Sequence, residues 1–510
     1  MIKKINYIFI SFLVLSLLSI VSFLSVQQIK YNVDPHHWGL FLSVVNNLNN
    51  GFPPYSYAFV TYGILTPYIL LIFSKIFGLN LLTFAAVTSL FYCIGIFYLF
   101  LIIYKEFNSF IKAFLSLLLC VSFHSVVIYP WPNYFAFAFI LGGLYHYRFN
   151  SNKFLSGLLF SLSILCRENL FIVYILFFFV IICVCLVERK SILSIFNKHI
   201  TLLLGFFLPL MLFFAFIILN DLFHYWYINS VIIPKIYLNV IFPHVVGLKG
   251  VLYFFSVLFD RVSTFDFRWI FIAFILFFNF IYIILYYLKS ELIVKSIFAL
   301  SISILSLLLV TSMLHIPEIF RFATASLLGL ITIFYFNNFT SYFSVLSFSF
   351  VFVFSFYSNS GNYFSDPRVF FDHSLYPSSV SSFFKGVRWN NNVNVYYSNI
   401  DSEIKAIKSS KCEISFIRNL SRDGFITALS GLKKYQIGEY YEFPFIEEYR
   451  KDINITKLFN ERKFILIYEV NSINDLKIPD GFKIYNTFTI PKMNFFVEGN
   501  FLVILSPSDC

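Results

Sequence analysis

The first 357 residues are a succession of apolar runs broken by short polar loops, a pattern that no soluble domain can bury. The runs are Ile5 to Val26, Leu81 to Tyr104, Phe110 to Tyr129, Tyr134 to Tyr147, Phe154 to Cys166, Leu170 to Val187, Ile200 to Leu219, Phe267 to Leu288, Leu292 to Leu314, Phe320 to Phe336 and Tyr342 to Tyr357. Most approach the roughly 20 residues that a helix needs to cross a bilayer. With 59% hydrophobic residues, 12% charged residues and a mean hydropathy of +0.79, the chain reads as a polytopic membrane protein. Tyr134 to Tyr147 and Phe154 to Cys166 are short, so they are expected to extend into their flanks or to form a tight hairpin shielded by neighbours. The first run follows Lys3 and Lys4 and lacks a small-residue cleavage site, which marks a retained signal anchor.

Orientation follows from where the bases collect. Lys3 and Lys4, Lys105 and Lys112, Arg148 and Lys153, Arg189 to Lys198, and Lys289 and Lys295 occupy alternate loops if Thr61 to Gly78 does not cross. That stretch is apolar but carries Gly63, Pro67 and Lys75, and it is read as a re-entrant or interfacial helix. The expectation is about eleven crossings, a cytoplasmic N-terminus, a first outer loop over 27–79, and a tail outside the membrane of a bacterial inner (plasma) membrane protein. The membrane part is residues 1–357 and the extracytoplasmic part 358–510. Runs such as Lys463 to Val470 and Phe501 to Leu505 alternate with polar turns in the tail, which predicts a small α/β domain. The net charge of +11 sits almost wholly in the membrane part, so the basic balance reports topology and not nucleic acid. Cys412 and Cys510 are the only cysteines in the tail and could form a disulfide, while the others fall in or beside apolar helices as packing residues. There is no internal repeat, P-loop or paired CxxC, which argues against an ATP-driven pump and a thiol redox enzyme.

The acids of the membrane part can be sorted one by one. Glu106, Glu188 and Glu291 stand beside bases in the inner loops, where solvated ion pairs explain them. Asp34, Glu168, Asp221, Asp260, Asp266 and Glu318 all fall on the outer side, and ionisable groups at a membrane edge persist mainly where they line a polar site or meet a partner. Asp260 with Arg261 and Asp266 with Arg268 read as local pairs. Asp34 opens the cluster Asp34-Pro35-His36-His37-Trp38-Gly39 just after the first apolar run; it could cap a helix with Pro35 at its first position, or serve chemistry at the membrane surface. Arg167-Glu168-Asn169 interrupts two apolar runs, and Glu318 and Arg321 stand three apart on one helix face. Each could be an internal ion pair, or an arginine fork for a lipid phosphate. Tyr129-Pro130-Trp131-Pro132-Asn133, His315 to Pro317 and the loop from Asn220 to Ser263 would complete the rim. His36 and His37 without a third nearby ligand are a weak metal signature, so a divalent cation is the one cofactor that could be added and none is required.

These features, together with Gly51 to Tyr55, Tyr62 to Pro67 and Ile76 to Gly78, resemble the GT-C superfamily of membrane glycosyltransferases, most clearly over residues 30 to 170. That superfamily includes protein O-mannosyltransferases, the lipid A aminoarabinose transferase and phage-type serotype-converting glucosyltransferases, which take a sugar from a polyprenyl phosphate at the outer face. The resemblance implies that Asp34 is the first-loop acid and that Arg321, in Arg-Phe-Ala-Thr-Ala-Ser, is the late arginine near the carrier phosphate. Where relatives often keep a second acid beside the first, this chain has Trp38, which argues against a two-carboxylate or metal-dependent version.

Glycosyl transfer needs a base for the acceptor hydroxyl and cations for the departing phosphate. The expected roles are Asp34 as catalytic base, Arg321 and Arg167 on the donor phosphate, and Glu168, Glu318, His36, His37 and His315 in support or on sugar hydroxyls, with no assigned metal ligand. The expected function is transfer of a sugar from a polyprenyl-phosphate carrier to an acceptor glycan or lipid-linked polysaccharide, as in O-antigen or lipopolysaccharide modification. The alternatives are a polysaccharide polymerase of the O-antigen type and a lipid-linked-sugar flippase or transporter, whose polar residues should instead be spread near the midplane.

Overall fold

The computed structural model describes residues 2–31, 34–56, 60, 62–124, 127, 129–187, 192–235, 249–250, 252–253, 255–256, 260, 267–313, 318–336, 375–410, 413–434, 463–491, 499–508 and 510. Ten of the eleven expected apolar segments fall on described helices; Tyr342 to Tyr357 lies outside the described residues, as do Glu188, Arg189, Lys190, His244, Asp266, His315 and Cys412. In chain order the principal helices are α1 Ile2–Tyr31, α2 His37–Asn49, α3 Leu65–Phe77, α4 Leu81–Phe107, α5 Phe110–Phe123, α6 Pro132–Phe149, α7 Lys153–Cys166, α8 Leu170–Val187, α9 Ile192–Leu219, α10 Phe223–Tyr227, α11 Phe267–Tyr287, α12 Ile297–Thr311, α13 Ile319–Ser326, α14 Leu330–Ile333, α15 Asn391–Ser409 and α16 Gly424–Ser430. The strands are β1 Tyr376–Pro377, β2 Arg388–Trp389, β3 Phe416–Leu420, β4 Lys433–Lys434, β5 Phe464–Val470, β6 Phe482–Thr489 and β7 Phe501–Pro507. The chain forms two compact units, the first from Met1–Ser25, Thr88–Phe216 and Pro234–Pro367, the second from Val26–Val87, Ile217–Ile233 and Arg368–Cys510.

The first unit is helical and apolar. Among the described residues, Ser11–Tyr31, Leu81–Phe107, His199–Leu219 and Arg268–Tyr287 are long and apolar enough to cross a membrane, and shorter apolar helices accompany them. Helix starts follow local capping: Ser109 accepts from the Lys112 amide, Asn152 from the Leu155 amide and Ser296 from the Ala299 amide. The run expected from Phe320 to Phe336 is not one uninterrupted α-helix. It is α13, a 3₁₀ turn at Leu327–Gly329 and then α14, because the Asn279 amide of α11 reaches in to donate to the Gly329 carbonyl at 3.2 Å. A Cβ on Gly329 would stand 2.4 Å from that amide nitrogen, so a larger residue there would displace the Asn279 side chain from this contact. Glu106 is paired as expected, accepting from Arg148 Nε at 2.9 Å and Nη2 at 2.8 Å, but the pair is less solvated than its loop position suggests: the Tyr335 hydroxyl also donates to it at 2.5 Å.

The second unit joins the first loop to the tail. The five-stranded sheet has the order β4-β3-β5-β7-β6, with β3 parallel to β4 and β5, and β7 antiparallel to β5 and β6. The continuous apolar runs of β5 and β7 are those of strands covered on both faces, and both are buried along most of their length. One face holds Phe464, Leu466, Phe482, Val503 and Leu505. Along α15, Val393, Tyr397, Ile400, Ile404 and Ile407 recur at helical spacing and are buried. The 13 residues of α3 span about 20 Å, and Ile72, Ile76 and Phe77 are exposed along it. Helix α2 is buried almost throughout, from His37 to Leu48. Cys510 is disulfide-bonded.

Candidate active site

Two clusters carry the residues that the sequence singled out, one in each unit. In the second, Asp34 lies in the turn before α2 with its side chain only 1% exposed. Its Oδ1 accepts from the His36 amide at 2.8 Å, and its Oδ2 accepts from His37 Nδ1. Asp34 is therefore not the cap of α2, which starts at His37 with His36 as its N-cap and Pro35 outside it; the Asp34 carboxylate instead closes the preceding turn and holds an imidazole. Burial pushes the Asp34 carboxyl up, and the His37 and His36 contacts outweigh that, leaving it below the usual carboxylate value. His36 is pushed down to about 4, first by burial and then by the neighbouring His37 ring, so at neutral pH it carries no charge. The two rings meet edge to face with centroids 4.7 Å apart.

The same turn is gripped by the β3–α16 connection. His36 Nδ1 donates to the Arg422 carbonyl at 3.1 Å, and the Gly424 amide donates to the Pro35 carbonyl at 3.1 Å. The connection is itself fixed: Glu469 Oε2, from the end of β5, accepts from the Arg422 amide at 3.0 Å, and Asn419 Nδ2 donates to the Asp423 carbonyl at 2.7 Å. Asp423 caps α16 by accepting from the Phe425 amide at 3.0 Å and accepts from the Tyr397 hydroxyl at 2.8 Å. Burial pushes its carboxyl up to about 7. Helices α2 and α16 touch backbone to backbone: a Cβ on Gly39 would stand 2.6 Å from the Phe425 nitrogen, and one on Gly424 2.6 Å from the Gly39 carbonyl carbon.

In the first unit, Arg321 is buried on α13 and donates from Nε to Glu318 Oε2 at 2.6 Å, the expected three-residue pairing. Its guanidinium carbon sits 4.8 Å from the Trp131 ring centroid and 5.6 Å from that of Phe320. Trp131 is held extended by the proline after it, and Pro132 opens α6. Asn133, two residues on from Trp131, accepts from Arg167 Nη1 through Oδ1, and its Nδ2 lies 3.4 Å from the Thr324 hydroxyl on α13. Arg167 is buried at the end of α7 and donates from Nε to Asn169 at 2.9 Å. The segment from Tyr129 to Asn133 thus joins the two arginines, with Trp131 under one and Asn133 against the other. Asn133, Arg167 and Thr324 also line a small cavity with Phe137, Leu309 and Met313. Glu168 is half-buried beside Arg167. Among the described residues there is no group of three or more His, Cys, Asp or Glu side chains that could hold a metal ion.

No protein-family model matches the chain, and no curated protein does. Comparison of folds does find a relative: the crystal structure of ArnT from Cupriavidus metallidurans bound to undecaprenyl phosphate, at a TM-score of 0.54 and 9% identity, over 97% of each chain. The chain shares the fold of that structure over nearly its whole length. It is therefore a multi-pass membrane protein whose membrane helices and tail share one known architecture. Within that fold, the sequence pointed to Asp34, the two histidines, both arginines and the Tyr129 to Asn133 segment, but it singled out nothing in the tail. Arg422, Asp423 and Glu469 were missed. The one local signal was Asp423-Gly424 ahead of Phe425-Ile426, a capping pattern that reads as an ordinary turn.

Proposed function

We propose that the protein is a glycosyltransferase that moves a sugar from a polyprenyl-phosphate carrier to an acceptor glycan or lipid-linked polysaccharide at the outer face of the membrane, as in O-antigen or other surface-polysaccharide modification. The observation that carries this reading is the arginine pair of the first unit. Two buried guanidiniums held by one aromatic and amide segment are suited to a phosphate, which a planar fork binds in bidentate fashion. The neighbour of like fold was crystallised with undecaprenyl phosphate, which supports a polyprenyl phosphate as the carrier here. Arg321 and Arg167 receive the phosphate, Glu318 and Asn133 orient them, and Asp34 with its histidines serves the acceptor hydroxyl. Glu168 and His315 belong to the supporting set. A carrier lipid also supplies activated sugar where no nucleotide sugar is present.

The test is reconstitution of the purified full chain in liposomes with a polyprenyl-phosphate monosaccharide and a hydroxyl-bearing glycan acceptor. Single sugar additions support the proposal. Processive chain growth points instead to a polymerase, and carrier movement across the bilayer without transfer to a flippase; either result overturns it. Asp34→Asn should reduce transfer at least about 10²-fold, the usual scale for loss of a general base, while the chain still inserts and folds.

A further inference from the structure

We propose that Glu318 selects the sugar on the carrier: one of its oxygens holds Arg321, and the other accepts a hydrogen bond from a hydroxyl on C2 of the transferred sugar. The inference rests on the glycosyl-transfer reading above and names a feature of its donor. Glu318 immediately precedes α13, and its side chain makes no cap hydrogen bond to that helix. Its Oε2 accepts from Arg321 Nε at 2.6 Å, and among the described residues the carboxylate has no other hydrogen-bond partner. An ionised carboxylate offers about four lone-pair sites, so most of its accepting capacity is open. It is also the accessible member of the pair, with a side chain 28% exposed against 2% for Arg321.

The amides and hydroxyls near the two arginines are engaged elsewhere. Asn133 accepts from Arg167 through Oδ1, and its Nδ2 faces the Thr324 hydroxyl and the Met313 sulfur. The Thr324 hydroxyl turns back to the Phe320 and Arg321 carbonyls of its own helix, and Asn169 Oδ1 takes Arg167 Nε. Asn133 and Thr324 are buried as well, whereas Glu318 is not.

Sugar chemistry then decides which hydroxyl is meant. With the carrier phosphate on Arg321, the bond that breaks joins a phosphate oxygen to the anomeric carbon. That carbon has two neighbours within the ring: the ring oxygen, which has no hydrogen to give, and C2. The C2 hydroxyl is therefore the first donor that a carboxylate held on the same guanidinium can meet. As the anomeric carbon gains positive charge, this hydroxyl becomes a stronger donor, so its bond to Glu318 tightens in the transition state. A sugar without it would leave the second carboxylate oxygen in a closed site with nothing to accept, which is how a polar site rejects an analogue that lacks a hydroxyl.

A cycle of variant against substrate tests the assignment on the full chain reconstituted as above. The donors are polyprenyl phosphates carrying glucose, mannose or galactose, and the sugar that wild type transfers fastest is compared with its 2-deoxy counterpart. Glu318→Gln keeps one oxygen for Arg321 Nε but has neither a second oxygen nor a charge for the sugar. The ratio of kcat/KM between the hydroxylated and 2-deoxy donors is measured for each protein, and the wild-type ratio is divided by that of Glu318→Gln. The intrinsic reactivity of a 2-deoxy sugar cancels in this quotient. It should be at least about tenfold, the low end for a hydrogen bond to a charged group, and it should be carried by kcat more than by KM, since the bond is strongest in the transition state. A quotient near one, with both donors slowed alike, confines Glu318 to holding Arg321 and overturns the proposal. Thermal unfolding read in parallel confirms that the variant is folded; if Glu318→Gln unfolds, Glu318→Asp, which draws both oxygens back by one methylene, is read against the same limits. Wild-type protein that transfers none of the sugars overturns the transfer reading itself, a result distinct from an active wild type whose quotient stays near one.

Discussion

Gly424→Ala should cripple transfer from a position in the tail. A Cβ there would stand 2.6 Å from the Gly39 carbonyl carbon and 2.7 Å from the Leu40 nitrogen, both backbone atoms that cannot swing away. Ordinary contacts between heavy atoms lie at about 3.5–4.0 Å, so α2 and α16 must part by about 1 Å. Overpacking of this kind costs about 1–3 kcal/mol. The same separation would draw out two hydrogen bonds now at 3.1 Å, Gly424 to Pro35 and His36 to Arg422, each contributing about 0.5–1.5 kcal/mol. Asp34 and His37 ride on that turn, and a displacement of about 1 Å in a catalytic group is worth about 10²-fold in rate. The assay is initial rate against carrier concentration for purified protein in liposomes, with thermal unfolding measured alongside. The expected result is a kcat lower by roughly 10²-fold, a carrier KM near wild type and a melting temperature a few degrees down. Gly424→Ala at half the wild-type kcat or more would refute the idea that the tail sets the Asp34 turn.

Arg321→Lys keeps a charge but loses the planar face over Trp131 and the fork, so its carrier KM should rise at least about tenfold; an unchanged KM in lipid-titration kinetics would remove Arg321 from the phosphate. Asp423 holds its proton in the folded protein up to about pH 7, whereas the unfolded carboxyl ionises near 3.8. The unfolded state therefore binds fewer protons across that window, so the contribution of Asp423 to stability falls as pH rises from about 4 to 7 and stays lost above it. Asp423→Asn should flatten that fall, measured as the difference in melting temperature between pH 5 and pH 8; an unchanged slope would show that Asp423 does not titrate there. Tags placed between Arg189 and Lys198 should report the cytoplasm and tags after Tyr357 the outside; a cytoplasmic tail would overturn the orientation.

What the sequence disclosed divides along physical lines. Membrane helices were legible because each writes its own apolar length into consecutive residues, as α4, α8 and α9 do. The break at Gly329 was not, since its cause, Asn279, sits in another helix 50 positions earlier. Asp34, Arg167 and Arg321 could be found as charges out of place in an apolar chain, and Glu318 with Arg321 as a spacing. That His37 would lie on Asp34 is also a local fact, three residues apart on a turn. The grip of Arg422 and Gly424 on that turn left no trace in either segment, because two glycine backbones in contact have no side-chain pattern to announce them.

Hydrogen bonding between His36 and Arg422 spans 386 positions, and this sets the order in which the second unit can be completed. At roughly 5–20 residues per second, synthesis needs about 20–80 s to travel from one partner to the other. Through that interval α2, a helix buried almost all round in the finished protein, has no α16 to cover it. The first loop must wait in an unfinished state that exposes apolar surface and leaves the Pro35 carbonyl unclaimed by the Gly424 amide. A ribosome that stalls or a chain clipped before Arg422 would thus leave the Asp34 turn without the two hydrogen bonds that grip it from the tail.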